Sequence, residues 1–597
     1  MQDFRKETIY FIVVDRFCDG DPDNNLGKCD EQYDPTHTNW QMYWGGDLEG
    51  IITRLDYIFG MGASAIWITP VFQQVESVVI EKGVRRAPYH GYWAQDFKRI
   101  DEHLVNRDDD VRVFSRNDTV FDKLVKKLHE RGGKLVLDIV CNHSSPHLPG
   151  GRGVLYDDGV KLASYDEDDG SWYHRLGDVK NWSDLNEVQT RDLCDLSDFN
   201  EESLAYRRYI KDAIKKWLSK GVDGLRVDTV KHMPLWFWQE FVSDMRRHEP
   251  GIFMFGEWFM GGVYDPDSVT FVHGSGMSML DFSLRQAIED ALARDVYRGF
   301  AQVGDIFQRD GTLRTATELV TFVDNHDLPR FLSMRNDPAR FRMANLLVMT
   351  ARGIPCIYYG SEQLLHDDTD GGNDPYNRPM METWDTTSSL YRELRILADL
   401  RRRNIAVQKG GTFQHVVTPD LFVFSRKYAG SSIVVAMNKG SPSAVQVADL
   451  PLPAGKHTCL LTGRTVDVKE GIADLDLEKN DVLVLENNVP LAASRAVCEF
   501  QLNGLSTRYG EEVFLVGDCP ELGEWDYERP VRMEYINNNT WCVDVPFDAT
   551  AGREFAYKYF LRTASGVQRE MAMPRMRRAP QQGWARVRDD WSSSLPD

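Results

Sequence analysis

Residues capable of acid–base chemistry stand at the ends of four predicted β-strands. They are Asp138 with Asn142 and His143, Arg226 with Asp228, Glu257 alone, and Asn325 with His326 and Asp327. If the strands are parallel neighbours in one barrel, their carboxyl ends meet at one mouth, where such barrels build active sites. A single acidic residue at a strand end is more often a helix cap or a solvated loop residue. Four such ends together favour a shared site.

Three carboxylates at one mouth suit the retaining hydrolysis of a glycoside, which needs a nucleophile, a proton donor about 5–5.5 Å away and a group that holds the distorted sugar. Asp228 lies two residues after Arg226 on the same strand face, so the guanidinium should keep Asp228 ionised as the nucleophile. Glu257 has Phe255 and Trp258 beside it, and these surroundings should raise its pKa and keep it protonated as the acid. A plain salt bridge between Arg226 and Asp228 is the alternative interpretation.

The elements that would position these residues alternate short apolar strands with longer segments of helical period, from about residue 8 to residue 400. The predicted strands are Ile9–Val14, Ala65–Thr69, Leu135–Val140, Gly224–Asp228, Phe253–Glu257, Leu319–Val323 and Cys356–Tyr359. Apolar residues keep helical spacing over 121–128 and over 209–218. This pattern predicts an α/β fold, a (β/α)₈ TIM barrel with insertions.

Three segments depart from this alternation. Residues 144–200 are rich in Gly, Asp, Ser and Pro, and they predict a loop-rich subdomain B inserted after the third strand. Paired strands over 405–491 predict an antiparallel β domain, and short strands between turns over 495–597 predict a second β-sandwich. We therefore expect a catalytic barrel over 1–404, carrying subdomain B, followed by two antiparallel β-sandwich domains.

The composition of the 597-residue chain excludes several classes of protein. Hydrophobic residues make up 42%, and no uninterrupted apolar run reaches the roughly 18 residues that a bilayer span requires. A net charge of −21 would repel nucleic acid and anionic lipid, so we expect a neutral substrate or bound cations, and a monomer. The nine cysteines include no Cys-x-x-Cys pair, which argues against zinc or redox chemistry. Whether Cys18 and Cys29 form a disulfide stays open.

Four ordered segments carry a resemblance to a known enzyme family. They are Asp138-Ile-Val-Cys-Asn142-His143, Gly224-Leu-Arg226-Val-Asp228-Thr-Val-Lys231-His232, Gly256-Glu257-Trp258 and Phe322-Val-Asp-Asn-His326-Asp327. The chain resembles the α-amylase family, glycoside hydrolase family thirteen, and within it the cyclodextrin glucanotransferases and related malto-oligosaccharide-forming amylases. The resemblance implies that Asp228 is the nucleophile, Glu257 the general acid/base and Asp327 the residue that stabilises the transition state.

The same resemblance implies residues that bind glucan on both sides of the scissile bond. Tyr92 would stack on the sugar next to that bond, because the apolar face of a sugar gains from contact with a flat ring. The other implied substrate-binding residues are His90, His143, Arg226 and His326 around that sugar, Asp374 and Arg378 further along the donor side, and Lys231, Phe259 and Trp182 on the acceptor side.

Two calcium sites are also implied by the resemblance. An N-terminal calcium loop would use Asp19, Asp21, Asn24, Asn25, Gly45 and Asp47. A second site would use Asn142, Asp198 and the carbonyl group of His232, and it would fasten the inserted subdomain to the barrel. Carboxylate, amide and carbonyl oxygens are the ligands that Ca²⁺ selects, although a solvated Asp/Asn turn is the alternative for the loop. The expected cofactor is one or two structural Ca²⁺ ions.

The chain from about residue 496 onward resembles a starch-binding module, carbohydrate-binding module family twenty. The segments that carry this likeness are 510–517, 521–526, Trp541 and 555–558. The resemblance implies one glucan site with Trp525 and Lys558 and a second with Tyr509 and Tyr535. Trp541 is expected in the core. Arg569 replaces the partner tryptophan of the first site and should weaken it.

Two departures bear on the expected activity. Cys194 stands where cyclising enzymes carry a central aromatic residue, and no extra β domain precedes the last module. The leading expectation is therefore a retaining α-1,4-glucan hydrolase, an α-amylase that degrades starch or glycogen to malto-oligosaccharides.

Two alternatives stay open beside the hydrolase. A cyclodextrin glucanotransferase or another 4-α-glucanotransferase is the first, because Phe259 and Trp182 favour a sugar over water as acceptor. A catalytically silent glucan-binding protein is the second, since a fold alone does not give function. The starch-binding tail favours a secreted protein, whose leader is absent from this chain, over a cytoplasmic one.

Overall fold

Eight parallel strands form a barrel in chain order in the computed structural model, which describes residues 3–81, 83–105, 111–149, 151–570 and 573–592. The barrel strands are β1 (Ile9–Ile12), β2 (Ala65–Ile68), β3 (Lys134–Ile139), β4 (Gly224–Val227), β5 (Phe253–Gly256), β6 (Ser278–Met279), β7 (Val320–Thr321) and β8 (Ile354–Tyr358). β8 pairs with β1, and a parallel bridge from Leu280 to Val320 joins β6 to β7. The predicted TIM barrel is confirmed.

At least one α-helix separates every two consecutive barrel strands. The α-helices of the described residues are α1 (Leu48–Thr53), α2 (Leu55–Gly60), α3 (Val120–Glu130), α4 (Leu185–Val188), α5 (Leu204–Ser219), α6 (Leu235–His248), α7 (Pro266–Ser275), α8 (Phe282–Leu292), α9 (Phe300–Gln308), α10 (Phe331–Met334), α11 (Pro338–Thr350), α12 (Ser389–Arg403) and α13 (Ile405–Lys409). None of them combines the length and apolarity needed to cross a membrane.

The local sequence explains where the predicted helices begin and end. Thr119 accepts a hydrogen bond from the backbone N–H of Asp122, whose carboxylate accepts one in return, so a capping box starts α3. The chain leaves the helix before Gly132, whose φ of +71° is a left-handed conformation that glycine adopts without strain. The apolar stripe of α3, at helical spacing, is buried against the barrel.

β6 is the barrel strand that the sequence did not reveal. It has two residues, Ser278 and Met279, which pair in register with Phe255 and Gly256 of β5. Two residues cannot show the alternation or the apolar run by which a strand is recognised. This strand is therefore defined by its neighbours rather than by its own sequence.

The segment between β3 and α5 is loop-rich, as the composition predicts. Besides α4 it holds the short strands His147–Leu148, Gly151–Arg152, Leu155–Asp157 and Val160–Ala163. The last two extend a four-stranded sheet with Ala94–Ile100 and Phe72–Gln74, which follow β2, and a separate hairpin joins Val79–Glu81 to Val84–Arg86. The insertion is thus tied to the loop region after β2.

The chain after α13 is β structure that is antiparallel except for the parallel pairing of Ala496–Asn503 with Gly583–Asp590. One sheet contains Gly411–Val417, Leu421–Tyr428, Ser431–Asn438 and Asp481–Asn487, beside the pairs Ser443–Val447 with Ala473–Leu477 and Gly455–Thr458 with Thr465–Val468. Two sheets follow: Glu534–Asn537, Thr540–Pro546, Ala496–Asn503 and Gly583–Asp590 in the first, and Val531–Arg532, Glu512–Gly517, Glu554–Thr563, Gly566–Arg569 and Arg575–Arg578 in the second. The hairpin turn predicted at Ala429 and Gly430 is present, and both residues have positive φ.

Buried charges join the last β-sandwich to the barrel. Glu499 has no solvent exposure, and its carboxylate lies 2.5 Å from Arg5, 2.7 Å from Lys409 and 2.7 Å from Arg586. Arg5 belongs to the turn before β1 and Lys409 to α13, whereas Glu499 and Arg586 lie in the sandwich. One carboxylate therefore links cations from three segments, and each cation also contacts a second carboxylate, that of Asp3, Asp544 or Glu318.

We predict that Glu499→Gln lowers the free energy of unfolding by about 3–5 kcal/mol, because it removes the carboxylate that the buried cations share. Urea unfolding followed by tryptophan fluorescence measures this. The matched control is Asp56→Asn, which removes an exposed pair with Arg131 at 2.8 Å and should leave the stability unchanged. A Glu499→Gln variant as stable as the unaltered chain would show that the network does not hold the sandwich.

Candidate active site

Arg226 stands at the centre of the barrel mouth, fully buried on β4. Its Nη1 lies 2.9 Å from Asp138 Oδ1 and 2.7 Å from Asp228 Oδ1, and its Nη2 lies 2.9 Å from Glu257 Oε1. Register explains this convergence, because Arg226 is the partner of Asp138 across β3 and β4, while Asp228 and Glu257 directly follow β4 and β5. One cation thus contacts carboxylates from three adjacent strands.

The backbone holds Asp228 and Glu257 at fixed positions. Glu257 N–H donates to the carbonyl oxygen of Val227 at 2.8 Å, and Val230 N–H donates to that of Glu257 at 3.1 Å. Thr229, which lies between Asp228 and Val230, has a left-handed backbone conformation with φ 48° and ψ 38°. This conformation is unfavourable for a β-branched residue and persists only where the surrounding structure imposes it. The turn that carries Asp228 is therefore constrained rather than loose.

Glu257 has the electrostatic environment of a proton donor. Burial raises the pKa of its carboxyl group well above the ordinary value, and the nearby carboxylates of Asp228, Asp327 and Asp138 raise it further, while Arg226 opposes them. The direction agrees with the sequence expectation, which relied on apolar neighbours alone. A carboxyl group with a raised pKa keeps its proton at neutral pH and can deliver it to a leaving oxygen.

Asp327 follows β7, is more exposed than Asp228 or Glu257, and is close enough to raise the pKa of Glu257. His326 Nε2 lies 3.5 Å from Asp327 Oδ2 and 2.7 Å from the hydroxyl oxygen of Tyr92. That hydroxyl donates to Asp138 Oδ2 at 2.9 Å. The three acids and the implied sugar-stacking tyrosine therefore belong to one connected set.

The remaining residues implied for the donor side lie in the same set. Arg378 pairs with Asp374 Oδ1 at 3.0 Å and reaches Asp327 Oδ1 at 3.4 Å, while its Nε donates to the carbonyl oxygen of His326 at 2.7 Å. His90 stacks on Tyr92 with ring centroids 5.6 Å apart. Burial lowers the pKa of His90 and His326, so both imidazoles are neutral and suited to hydrogen bonds with an uncharged sugar.

His143 offers a hydrogen-bonding atom to a ligand. Its side chain is buried, and Nε2 has no hydrogen-bond partner among the described residues. Burial lowers the pKa of this histidine, so the ring is neutral as well. A buried polar atom without a partner is unfavourable unless a ligand satisfies it.

The acceptor side carries exposed aromatic rings. Phe259 is 46% exposed and Trp182 is 50% exposed, although both are large apolar side chains. Phe259 follows Glu257 by two residues, and the Trp182 ring lies 6.1 Å from that of His232, next to Lys231. Exposed aromatic rings beside a polar site are typical of sugar binding.

Cys194 lies in a tight turn of the inserted subdomain. Leu196 N–H donates to the carbonyl oxygen of Leu193 at 3.0 Å, and the two residues between them, Cys194 and Asp195, have φ of 50° and 68°. The Cys194 side chain is exposed. The position that the resemblance assigns to a central aromatic residue thus presents a small thiol.

Three supporting residues had no assigned role at the sequence level. Trp67 Nε1 donates to Asp138 Oδ2 at 3.0 Å, so Asp138 accepts hydrogen bonds from two rings besides its contact with Arg226. Asn377 is buried, and its Nδ2 donates to the carbonyl oxygen of His326 at 2.7 Å. The strand-end position of Asp138 was a usable signal, whereas nothing in the spacing singles out Trp67 or Asn377.

The N-terminal loop presents oxygen atoms suited to a hard cation. The side-chain oxygens Asp19 Oδ1, Asn24 Oδ1 and Asn25 Oδ1 are buried and have no hydrogen-bond partner in the described residues. A Cβ at Gly45 would lie 2.7 Å from Asn25 Oδ1, so the backbone there approaches the same oxygen. Ca²⁺ takes such carboxylate, amide and carbonyl oxygens as ligands.

Asp47 has a different environment from the other residues of this loop. Its Oδ1 accepts from the N–H groups of Gly20 and Gly50, and its Oδ2 accepts from Asp21 N–H and Asn24 Nδ2. The carboxylate therefore caps α1 and closes the loop. Asp47 fixes the shape of the loop whether or not it also contacts an ion.

The residues of the second implied calcium site lie close together. With the nitrogen of its side-chain amide facing them, Asn142 donates to Asp198 Oδ1 at 3.2 Å and to the carbonyl oxygen of His232 at 2.8 Å. Hydrogen bonds account for these contacts, and a cation at this place is implied by the resemblance alone. No group of three acidic, histidine or cysteine side chains in the described chain is placed to hold a metal, so such a site depends on amide and backbone oxygens.

The residues implied to bind glucan in the last sandwich differ in their exposure and in the rings that they contact. Tyr509 is fully exposed, and Trp525, with φ 62°, packs beside Phe514 and Phe560. Tyr535 lies between the rings of Phe413, at 5.7 Å, and Trp541, at 5.5 Å, so it contacts the preceding β domain. That contact was not foreseen from the sequence.

Four details complete the comparison of the sequence expectations with the geometry. Trp541 is buried as expected. Lys558 lies on a strand and is the register partner of Val516. The guanidinium of Arg569 lies over the ring of Tyr527 at 4.3 Å. Cys18 and Cys29 are not joined by a disulfide.

Comparisons with known proteins identify two matching families. The model "Alpha amylase, catalytic domain" matches residues 11–398, and "Starch binding domain" matches residues 496–582. The cyclomaltodextrin glucanotransferase of Klebsiella oxytoca is 33% identical over 92% of this chain and 88% of its own length. That of Niallia circulans is 35% identical over 99% of this chain and 94% of its own length.

The solved structures similar to this chain also include cyclomaltodextrin glucanotransferases. CldA, described as a cyclomaltodextrin glucanotransferase with a three-domain ABC distribution, is 39% identical with a TM-score of 0.76, covering 81% of this chain and 99% of that one. The γ-cyclodextrin-type enzyme of alkalophilic Bacillus clarkii is 28% identical with a TM-score of 0.75, covering 99% of each chain. These relatives favour the transferase alternative over the hydrolase that was the leading expectation.

We predict that Arg226→Met destabilises the fold more at pH 7.5 than at pH 4.5. Arg226 opposes the burial that raises the pKa of Asp138 and Glu257, so both values rise further in the variant. The unfolded chain releases these protons above about pH 4, whereas the folded variant retains them, so stability falls as pH rises. Thermal midpoints at both pH values measure this, with Arg131→Met at an exposed position as control. An equal loss at both pH values would mean that Arg226 acts through packing alone.

Proposed function

This chain belongs to the α-amylase family, and we propose that it is a retaining 4-α-glucanotransferase of the cyclodextrin glucanotransferase type, acting on starch-like α-1,4-glucans. The observation that carries the proposal is the pair of exposed rings, Phe259 and Trp182, beyond Glu257. Rings that stack on a second glucan favour its hydroxyl group over water as the acceptor. The similarity to cyclomaltodextrin glucanotransferases supports the same conclusion.

The first half-reaction would form a covalent glycosyl-enzyme. An Asp228 carboxylate oxygen attacks the anomeric carbon, and the bond from that carbon to the glycosidic oxygen breaks. Glu257 gives its proton to the departing oxygen, so the reducing-end fragment leaves with a free hydroxyl group. Arg226, 2.7 Å from Asp228, fixes the nucleophile, while Asp327 and Arg378 are placed to hold the sugar ring.

The second half-reaction would transfer the glycosyl group. Glu257, now ionised, takes the proton from the 4-hydroxyl group of an acceptor sugar, whose oxygen attacks the anomeric carbon and displaces Asp228. Two inversions retain the α configuration. The outcome depends on the acceptor: another glucan gives disproportionation, the far end of the same chain gives a ring, and water gives hydrolysis.

Hydrolysis is the second candidate, and Cys194 is the observation that favours it. A thiol in an exposed turn offers no ring around which a glucan chain could wind. Loss of that contact lowers the probability that the free chain end reaches the glycosyl-enzyme, and water then competes better. The same active site would then release linear malto-oligosaccharides as an α-amylase.

We predict that the enzyme converts soluble starch into products that include transfer products. Chromatography before and after glucoamylase treatment measures this, because glucoamylase removes linear chains and spares rings. Incubation with a labelled maltose acceptor detects disproportionation. Asp228→Asn is the control and should lower all product formation by at least about 10³-fold, since the covalent step needs the carboxylate. Exclusively linear, unlabelled products would make the chain a hydrolase, and no products would make it a silent binding protein.

The calcium sites and the glucan sites of the last sandwich are part of the proposal. Asp19, Asn24, Asn25 and the Gly45 backbone would hold one Ca²⁺, and Asn142, Asp198 and the His232 carbonyl group would hold a second, each with a structural role. The orphaned oxygens of the first loop support the first site, and the proximity of Asn142, Asp198 and the His232 carbonyl group supports the second. Trp525 with Lys558, and Tyr509 with Tyr535, are the residues we propose for starch adsorption.

We predict that chelation of calcium lowers the thermal midpoint, because an ion bound only by the folded state stabilises it by about 2.7 kcal/mol at a hundredfold excess over its dissociation constant. Calorimetry with chelator, and after calcium is restored, measures this. Asn25→Ala and Asn142→Ala should each reduce the change in thermal midpoint that the chelator causes, whereas Asp56→Asn should leave this change unaltered. A midpoint unaffected by chelator would contradict both sites.

A further inference from the structure

We propose that the acceptor side continues into a second glucan-binding groove, formed by the loop 260–265 with α8 and α9, which holds the reducing-end continuation of a long acceptor chain. The inference rests on the proposed glucan transfer and extends it beyond the sugars next to the scissile bond. The six residues that define this distal acceptor groove are Met260, Tyr264, Phe282, Gln286, Gln302 and Asp305. Its cavity of about 390 Å³ falls in the range of roughly 300–1,000 Å³ in which proteins bind small ligands.

The distal acceptor groove is contiguous with the acceptor side of the active site. The ring of Phe259 packs edge-on against that of Phe282, with centroids 5.4 Å apart, and Phe282 also lines the groove. Met260, the next residue after Phe259, lines it as well and is exposed. A glucan that leaves the Phe259 ring therefore enters the groove without a gap between the two surfaces.

The groove carries the chemistry of neutral sugar recognition. Tyr264 is 60% exposed, and the guanidinium of Arg309 lies 4.8 Å from its ring centroid, which holds the ring in place and leaves the rest for a ligand. Gln302 Nε2 is buried without a hydrogen-bond partner in the described residues, so a donor is available for a sugar hydroxyl group. A flat ring beside amide donors is the combination that binds the apolar face and the hydroxyl groups of glucose.

Charges in the groove disfavour an anionic ligand. Arg298 pairs with Asp305 at 2.5 Å, so the guanidinium at this rim is neutralised. Asp290 accepts a hydrogen bond from Gln286 Nε2 at 3.0 Å, and it and Asp265 add two further carboxylates to the lining. An uncharged polyol meets no repulsion there, whereas a phosphate or an acidic chain would.

The loop that carries Tyr264 is fixed before any ligand binds. Val263 N–H donates to Ser283 Oγ at 3.1 Å, in the first turn of α8, and Gly262 N–H donates to Ser268 Oγ at 2.9 Å. Gly262 has φ +151°, and a Cβ at that position would lie 1.9 Å from Ser283 Oγ, so only glycine allows this contact. A preformed groove loses little conformational freedom on binding, which favours affinity for long chains.

The test measures how the acceptor KM depends on acceptor length, using a donor glucan blocked at its non-reducing end and acceptors from glucose to maltoheptaose. Tyr264→Ala should raise the KM for maltoheptaose about three- to tenfold, the loss expected for one stacking contact, and leave the KM for glucose and kcat unchanged. Gln302→Ala should act in the same direction, and Tyr264→Phe should keep the tight KM. The matched control is Tyr297→Ala, an 88% exposed tyrosine outside the groove lining, which should change nothing.

Two results would overturn the distal acceptor groove: an unchanged length dependence in Tyr264→Ala, or a KM that rises equally for glucose and maltoheptaose. Failure of the proposed transfer activity is a separate result, because the unaltered enzyme itself would then yield only hydrolysis products. The groove is then tested on hydrolysis itself, where Tyr264→Ala should raise the KM for maltoheptaose and not for maltotriose. Equal effects on both substrates would overturn it, whatever the outcome for transfer.

Discussion

A buried guanidinium, that of Arg226, is the interaction on which the active site depends. It contacts carboxylates that end three adjacent strands, and it does so without any exposure to solvent. Three carboxylates packed this closely would repel one another and take up protons if no cation stood among them. Arg226 contacts Asp228 and Asp138 through Nη1 and Glu257 through Nη2, and burial still raises the pKa of Glu257 well above its ordinary value. The cluster can therefore keep a proton on Glu257 beside the Asp228 carboxyl group.

The same principle recurs where the last sandwich meets the barrel. Glu499 there contacts Arg5, Lys409 and Arg586. The same cations also contact the carboxylates of Asp3, Asp544 and Glu318. Both clusters are buried, so removal of one member leaves the charges of the others less well balanced. In both places a buried charge holds together segments that are far apart in the chain.

The sequence predicts those parts of the structure that are marked by periodic apolar spacing or by ordered motifs. Seven of the barrel strands, α3, α5 and the residues at the strand ends were predicted, because apolar spacing and strand-end chemistry are local in the chain. β6 could not be predicted, since Ser278 and Met279 become a strand only by pairing with β5. Trp67, Asn377 and the contact of Tyr535 with Phe413 were equally hidden, because each depends on which side chain lies opposite after folding. Charge pairs such as Arg5 with Glu499 join positions far apart in sequence, and no spacing encodes them.

The choice between transfer and hydrolysis follows from how long an acceptor stays at the glycosyl-enzyme. The chemistry of Asp228 and Glu257 is the same for a sugar hydroxyl group and for water, so the residues that decide must act on the acceptor alone. The exposed rings of Phe259 and Trp182 would stack on a sugar in the proposed reaction and would gain nothing from water, while Cys194 offers no ring that would bring back the end of the same chain. This arrangement lowers the rate of ring closure relative to the rate of transfer onto a second chain. A long acceptor that also occupies the distal acceptor groove dissociates more slowly than a short one, and this difference in residence time selects long chains over both short sugars and water.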